Sequence, residues 1–87
     1  MEVRFSEKAK RQLEEYKSNN DTKTIGKIKL LLKDVINNPF AGLGKPEPLR
    51  FDLKGLWSRR INLNDRLVYE IKPEYILVYS IKGHYKL

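Results

Sequence analysis

The segment Arg66–Ile81, RLVYEIKPEYILVYSI, decides the fold of this 87-residue chain. Leu67, Tyr69 and Ile71 recur at every second position, which predicts a β-strand at about 66–71. The dense apolar run at 75–81 predicts a second strand. Between them the Lys-Pro-Glu sequence at 72–74 predicts a turn, so the two strands should pair as an antiparallel hairpin.

The pattern continues towards the N-terminus. Strands are predicted at about 56–61 and over the first five residues, with a turn at 62–65. Between the first two strands lie two helical patterns, capped by Ser6 and by Asp21 or Thr22, and the second ends at Asn37-Asn38-Pro39. The order β-α-α-β-β-β predicts an α+β fold over residues 1–87, a single domain in which an antiparallel meander packs on a helical hairpin.

Residues 39–50 contain three prolines and two glycines, which disfavour regular structure. We expect Phe40, Leu43 and Leu49 to dock this segment on the core. Glu47 stands between Pro46 and Pro48, which restrict it to extended backbone. A carboxylate presented so rigidly is either the partner of a nearby arginine or a general base.

The composition narrows the function classes. A net charge of +7, from 18 Lys+Arg and 11 Asp+Glu, suits a nucleic acid, an acidic protein or an anionic membrane, but also a merely soluble basic domain. The chain has no cysteine and one histidine, so we expect neither a disulfide nor a metal site. No apolar stretch is long enough to span a membrane, and we expect a cytoplasmic protein.

Arg60 and Arg66 are expected to share one face of the sheet. If Ile61 and Leu67 point at the helices, five residues separate them, and the alternation places both arginines on the uncovered face. Arginine grips phosphate with two parallel hydrogen bonds and stays charged. Two strand arginines can equally be a solvated surface.

His84, close to the C-terminus, is the only side chain with an ordinary pKa near neutrality. It can be a proton donor or an idle exposed ring, and Tyr85 beside it an anchor for the last strand. Trp57 can belong to the core, an interface or a stacking platform. An acid, a possible base, two phosphate-gripping cations and aromatic rings suit metal-free RNA cleavage, in which the substrate's own 2′-hydroxyl is the nucleophile.

Several stretches carry a family resemblance: residues 38–49 (NPFAGLGKPEPL), 55–61 (GLWSRRI), 66–69 (RLVY) and His84-Tyr85. In order and spacing they resemble the YoeB (Txe) type of toxin in the RelE superfamily, over nearly the whole chain. The resemblance implies a ribosome-dependent mRNA interferase of a type II toxin–antitoxin module. Such toxins cut the codon in the ribosomal A site and leave a 2′,3′-cyclic phosphate and a 5′-hydroxyl.

The resemblance also implies roles for individual residues. Glu47 matches the general base, His84 the general acid and Arg66 the arginine that stabilises the charged phosphate. Arg60 matches a further active-site arginine, and Tyr85 the tyrosine that helps arrange the site. We assign substrate binding to four neighbouring residues: Lys45, Arg50, Trp57 and Arg59. No cofactor and no metal are expected.

The expected partners are the ribosome and mRNA, a YefM-like (Phd-type) antitoxin with an acidic C-terminal segment, and a second copy in a homodimer. Operator DNA would be contacted only through the antitoxin, and no membrane is expected. Two alternatives stay open: a non-catalytic RNA or ribosome binder that uses the same basic face, and a corepressor acting with the antitoxin.

Overall fold

The structure, a computed structural model, describes residues 1–83, and residues 84–87 lie outside the described part. Two helices and five strands follow one another along the chain: β1 (Glu2–Phe5), α1 (Glu7–Ser18), α2 (Thr22–Asn37), β2 (Glu47–Pro48), β3 (Trp57–Arg60), β4 (Arg66–Ile71) and β5 (Tyr75–Ser80). A 3-10 turn at Phe51–Leu53 lies between β2 and β3.

Both helices begin at the predicted caps. The Ser6 hydroxyl accepts the Ala9 N–H at 3.0 Å and donates to the Tyr79 carbonyl at 2.8 Å, so the cap also ties α1 to the sheet. The Asp21 carboxylate accepts the Thr24 N–H at 3.1 Å at the start of α2.

The α+β fold is confirmed, and the sheet is a mixed five-stranded one in the order β1-β5-β4-β3-β2. Its β3-β4-β5 part is the predicted antiparallel meander. Two features extend the prediction. β1 pairs with β5 in parallel, and Glu47 and Pro48 form a short antiparallel strand beside β3.

The helices cover one face of the sheet. Apolar residues of α1 and α2, among them Ala9, Ile28 and Leu31, form a buried cluster with Leu67 and Tyr69 of β4. The alternation of side chains along β4 sends Arg66, Val68 and Glu70 to the opposite face, which we call the outer face. None of these three belongs to the core cluster.

Arg59 lies on the helix side and is fully buried, with 0 % exposure. Guanidinium has five N–H donors, and all five are used. One bonds the Tyr69 hydroxyl at 3.1 Å and one the Asp34 carboxylate at 2.5 Å. The other three bond main-chain carbonyls of a loop, those of Asn38, Ala41 and Leu43. The expectation that Arg59 binds substrate is therefore wrong, because no donor is free and no surface is exposed.

The loop of residues 38–44 is folded around the Arg59 guanidinium. The apolar side chains of the loop therefore stay at the protein surface. Leu49 is buried as predicted, but Phe40 and Leu43 are exposed at 56 % and 44 %. Their expected docking on the core is wrong. The loop is held by main-chain carbonyls and by the Tyr69 hydroxyl, which donates to the Pro39 carbonyl at 2.9 Å.

Arg59→Met should lower the free energy of unfolding by about 3–5 kcal/mol, because it leaves a carboxylate and three carbonyls without their donor. Urea denaturation measures the loss. Arg11→Met, at an exposed position of α1, is the matched control and should change stability by less than about 0.5 kcal/mol. Equal stability of the two variants would contradict the structural role of Arg59.

The same contact predicts a pH dependence of stability. The Arg59 hydrogen bond, and after it the Leu43 N–H at 2.9 Å, hold the pKa of Asp34 below its usual value. Since the folded pKa is the lower one, the unfolded chain takes up a proton first, at about pH 4. Stability should be present above that pH and should fall as pH drops through the folded pKa. Urea titrations between pH 6 and 2 should give Asp34→Asn a shallower slope than the wild type, and parallel curves would contradict this.

Candidate active site

Three residues of the predicted chemistry lie on the outer face of the sheet, together with Ser58. Glu47 of β2 is paired with Ser58 of β3, and Arg60 of β3 is paired with Arg66 of β4. Directly paired residues point to the same side of an antiparallel sheet, and so do residues two apart on one strand. Glu47, Ser58, Arg60 and Arg66 therefore share one face, and the predicted common face of the two arginines is confirmed.

Arg60 and Arg66 lie directly opposite each other on neighbouring strands. Their Cβ atoms are thus roughly 5 Å apart, a spacing at which like charges destabilise a sheet. Arg60 is exposed and Arg66 half-buried. Neither guanidinium takes part in an ion pair within residues 1–83. The pair forms a concentrated positive site that suits a bound anion such as a phosphate.

Glu47 is exposed at the edge of this face. Strand spacing places its Cα roughly 8 Å from the Cα of Arg60. Among the residues that the structure describes it forms no ion pair, so the alternative of an arginine partner finds no support there. The carboxylate stands beside the arginines without being bound to them.

Gly44 brings the loop close enough to form β2. Its carbonyl accepts the Arg60 N–H at 2.7 Å, and its φ is +79°. A Cβ there would approach the Arg60 carbonyl oxygen and Leu31 Cδ2 to 3.0 Å. Glycine is therefore required by the close approach as well as by the backbone conformation. The register of Glu47 depends on this contact.

Lys45 and Arg50 flank β2, and both are exposed. Lys45 adopts a positive φ of 51° directly before Pro46, and Arg50 caps the 3-10 turn. Their substrate-binding role stays a prediction.

Trp57 is separated from these residues. It is paired with Tyr69 and packs partly buried against the core on the helix side, where its ring meets Phe40 at a centroid distance of 4.9 Å and a tilt of 44°. The structure therefore does not bring Trp57 to the outer face with Glu47 and the arginines.

His84 and Tyr85 lie outside the described residues, and their predicted roles remain predictions. The residue before them is well anchored. The Gly83 N–H donates to the Asp65 carboxylate at 2.7 Å, and the Gly83 carbonyl accepts the Arg66 N–H at 3.1 Å. Burial tends to raise the pKa of Asp65, but hydrogen bonds from Gly83 and Asn62 outweigh it and hold the pKa below its usual value. An ionised Asp65 thus fixes Gly83 beside Arg66.

Ser58 is a residue that sequence reasoning did not single out. It is fully buried between Glu47 and Val68, and its hydroxyl is the one buried side-chain polar atom without a hydrogen-bond partner in residues 1–83. The sequence does contain a signal for Ser58, because alternation along Trp57–Arg60 places Ser58 on the outer face with Arg60.

Within residues 1–83 there is no cluster of three or more side chains able to ligate a metal ion. In the same part of the chain, neither helix has the length and apolar character needed to cross a bilayer.

Known proteins match this fold and sequence closely. The family model of the YoeB-like toxin of bacterial type II toxin-antitoxin systems matches residues 5–85. Toxin YoeB of Synechocystis is 49 % identical over 67 residues, which cover 77 % of this chain and 78 % of that protein.

Solved structures agree with the sequence comparison. The YoeB/ParE toxin from Agrobacterium tumefaciens superposes with a TM-score of 0.92 at 34 % identity, covering 98 % of this chain and 100 % of the other. The Staphylococcus aureus YoeB, at 40 % identity and 98 % coverage of both chains, has been solved in a YoeB–YefM complex (TM-score 0.88) and as a dimer (0.89).

The comparisons of fold and sequence define a toxin of a bacterial type II toxin–antitoxin system. Within that class, the chain belongs to the YoeB-like toxin family.

Ser58→Ala should leave the free energy of unfolding unchanged or raise it, because it removes a buried hydroxyl whose desolvation costs about 1–3 kcal/mol when unpaired. Thermal and urea unfolding measure the change. A loss of more than about 1 kcal/mol would show that the hydroxyl has a structural partner after all. Ser80→Ala, on the paired position across Val68, is a matched serine control.

Proposed function

We propose that this toxin is a metal-independent endoribonuclease that cuts mRNA in the ribosomal A site and leaves a 2′,3′-cyclic phosphate and a 5′-hydroxyl. The observation that supports the proposal is the placement of Glu47, Arg60 and Arg66 on the outer face, with Gly83, the residue before His84, held beside Arg66 by a main-chain hydrogen bond. Membership of the toxin family supports it further.

The reaction begins at the 2′-hydroxyl of the substrate. The Glu47 carboxylate takes the hydroxyl proton while the oxygen attacks the adjacent phosphorus. The bond from phosphorus to the 5′-oxygen then breaks, and His84 gives that oxygen a proton. Atoms and charge balance because one proton is removed and one is supplied. Each positioned proton transfer is worth about 10²–10⁴ in rate.

The arginines act on the charge that develops between these two transfers. The phosphate gains negative charge as the 2′-oxygen attacks, and Arg66 and Arg60 are positioned to bind its oxygens through their N–H groups. Removing one donor of such a charge-stabilising site typically costs about 10²–10³ in rate. The nucleophile belongs to the substrate, so the scheme needs no cofactor.

The proposed partners follow from charge and from the relatives. The net charge of +7 favours mRNA and the ribosome as anionic partners and an acidic segment of an antitoxin as the inhibitor. The Staphylococcus aureus relative supports a YefM-like antitoxin and a homodimer for this chain too. In this proposal the toxin acts in the cytoplasm and reaches operator DNA only through the antitoxin.

Primer extension on mRNA with purified ribosomes tests the proposal. The wild type should produce a cut within the A-site codon. Glu47→Gln and His84→Gln should each slow cutting by about 10²–10⁴-fold while ribosome binding is retained, because each variant loses a proton transfer and keeps its shape. Glu74→Gln, at an exposed turn residue, is the control and should cut like the wild type.

Two outcomes would contradict the proposal. Ribosome binding by the wild type without any cut would favour the non-catalytic binder. Cutting by Glu47→Gln at the wild-type rate would remove Glu47 from the mechanism.

A further inference from the structure

The outer face contains a pocket that the proposed chemistry does not use. It has a volume of about 330 Å³ and lies between the turn that joins β2 to β3 and the strands β4 and β5. Its lining is mostly apolar and also includes two serines and one lysine: Leu53, Leu56, Val68, Tyr79, Ser6, Ser80 and Lys8.

The pocket adjoins the candidate active site. Val68 is paired with Ser58, which is paired with Glu47, so all three stand in one row across the sheet. Two strand spacings place the Val68 wall roughly 10 Å from Glu47, and two residues along β4 place it roughly 7 Å from Arg66. A chain whose phosphate is held at Arg66 can therefore reach the pocket with a neighbouring group.

The Tyr79 ring is fixed in the pocket wall. Its hydroxyl donates to the Glu70 carboxylate at 2.8 Å, and Glu70 is also paired with Lys72 at 3.1 Å. The hydrogen bond to Glu70, and after it burial, raises the pKa of Tyr79, and the same bond lowers the pKa of Glu70. The Tyr79 hydroxyl stays protonated and its hydrogen bond holds the ring in one orientation. Little side-chain entropy is therefore lost when a ligand packs on the ring.

The opposite wall is rigid too. Leu53 and Leu56 belong to a turn that is closed by hydrogen bonds from the Leu49 N–H to the Leu56 carbonyl and from the Leu56 N–H to the Leu53 carbonyl, at 2.9 and 3.0 Å. A preformed slot between an aromatic ring and aliphatic side chains suits a flat, weakly polar ligand.

We propose that this pocket is a nucleobase subsite in which Tyr79 stacks on a base next to the cut phosphate. The inference rests on the proposed ribonuclease function and identifies where the enzyme would bind a base of its RNA substrate. Open sheet faces that present aromatic rings bind single-stranded RNA by stacking, which contributes about 1–3 kcal/mol per base. The positive charges of Lys8, which lines the pocket, and of Arg66, roughly 7 Å from its Val68 wall, favour RNA over an apolar side chain of a protein partner.

The test combines ring removal with base removal. Tyr79→Leu should lower kcat/KM for ribosome-bound mRNA by about 5- to 150-fold, the equivalent of the stacking energy. Tyr79→Phe keeps the ring and should stay within about 3-fold of the wild type. Tyr75→Leu is the matched control, because Tyr75 lies on the same strand and face but roughly 13 Å away.

An abasic nucleotide is then placed in turn at each position of the codon and its neighbours. At one position the wild type should lose as much as Tyr79→Leu does, and the two losses should not add. A Tyr79→Leu defect that persists with every abasic substrate would overturn the subsite, as would an equal defect in Tyr75→Leu. Loss of binding to a YefM-like antitoxin with unchanged RNA cutting would overturn it in favour of a peptide.

A binding measurement separates this inference from the proposed function. Short RNAs with 2-aminopurine at single positions should lose fluorescence on the wild type and on Tyr79→Phe but not on Tyr79→Leu. Such quenching without any ribosome-dependent cut would keep the subsite and reject the nuclease. A cut without quenching at any position and without the abasic effect would keep the nuclease and reject the subsite.

Discussion

The buried Arg59 guanidinium is the contact on which the rest of the structure depends. Its five donors reach Asp34 at the end of α2, Tyr69 in the centre of the sheet and three carbonyls of the 38–44 loop. Without it, a loop that contains proline and two glycines would have no internal hydrogen-bond ladder to define its path. Because Gly44 ends this loop and pairs with Arg60, the same guanidinium determines where β2 forms and where Glu47 stands. The value of such a buried charge lies in specifying one loop conformation more than in net stability.

Period-two alternation then divides four consecutive residues between two tasks. In Trp57–Arg60, the first and third side chains face the helices and the second and fourth face outwards. Arg59 consequently builds the loop, while Arg60, chemically identical and adjacent, faces the candidate active site. A slip of one residue in the pairing of β3 would exchange the two arginines, placing an unpartnered charge in the core. The pairing register of β3 is therefore strongly specified. Packing on the helix side in this way fixes the positions of the residues on the outer face.

This division also explains which parts of the fold and of the candidate site could be predicted from the sequence. The meander, the helix caps and the shared face of Arg60 and Arg66 follow from local periodicity, so they could be predicted. The parallel pairing of β1 with β5 could not, because a strand's own residues do not name its partner. β2 was missed since its two residues, Glu47 and Pro48, are too few to show a period. Arg59 was misassigned because charge alone gives no indication of depth, although alternation already separated it from Arg60. For His84 and Tyr85, the family resemblance remains the source of their assigned roles.

The paired arginines of the outer face repel each other, and a bound anion relieves that repulsion. Arg60 opposite Arg66 is a like-charge pair at the closest spacing a sheet allows, and the described carboxylates leave it uncompensated. Other charged side chains of the described surface do find partners, for example Glu70 with Lys72 and Glu15 with Lys82. In the proposed reaction, a phosphate that binds there relieves the repulsion, and the relief grows as the phosphate acquires further negative charge during attack by the 2′-oxygen. Under this proposal the repulsion between the two arginines is relieved most fully in the transition state, and an interaction that is strongest there lowers the barrier rather than merely tightening binding.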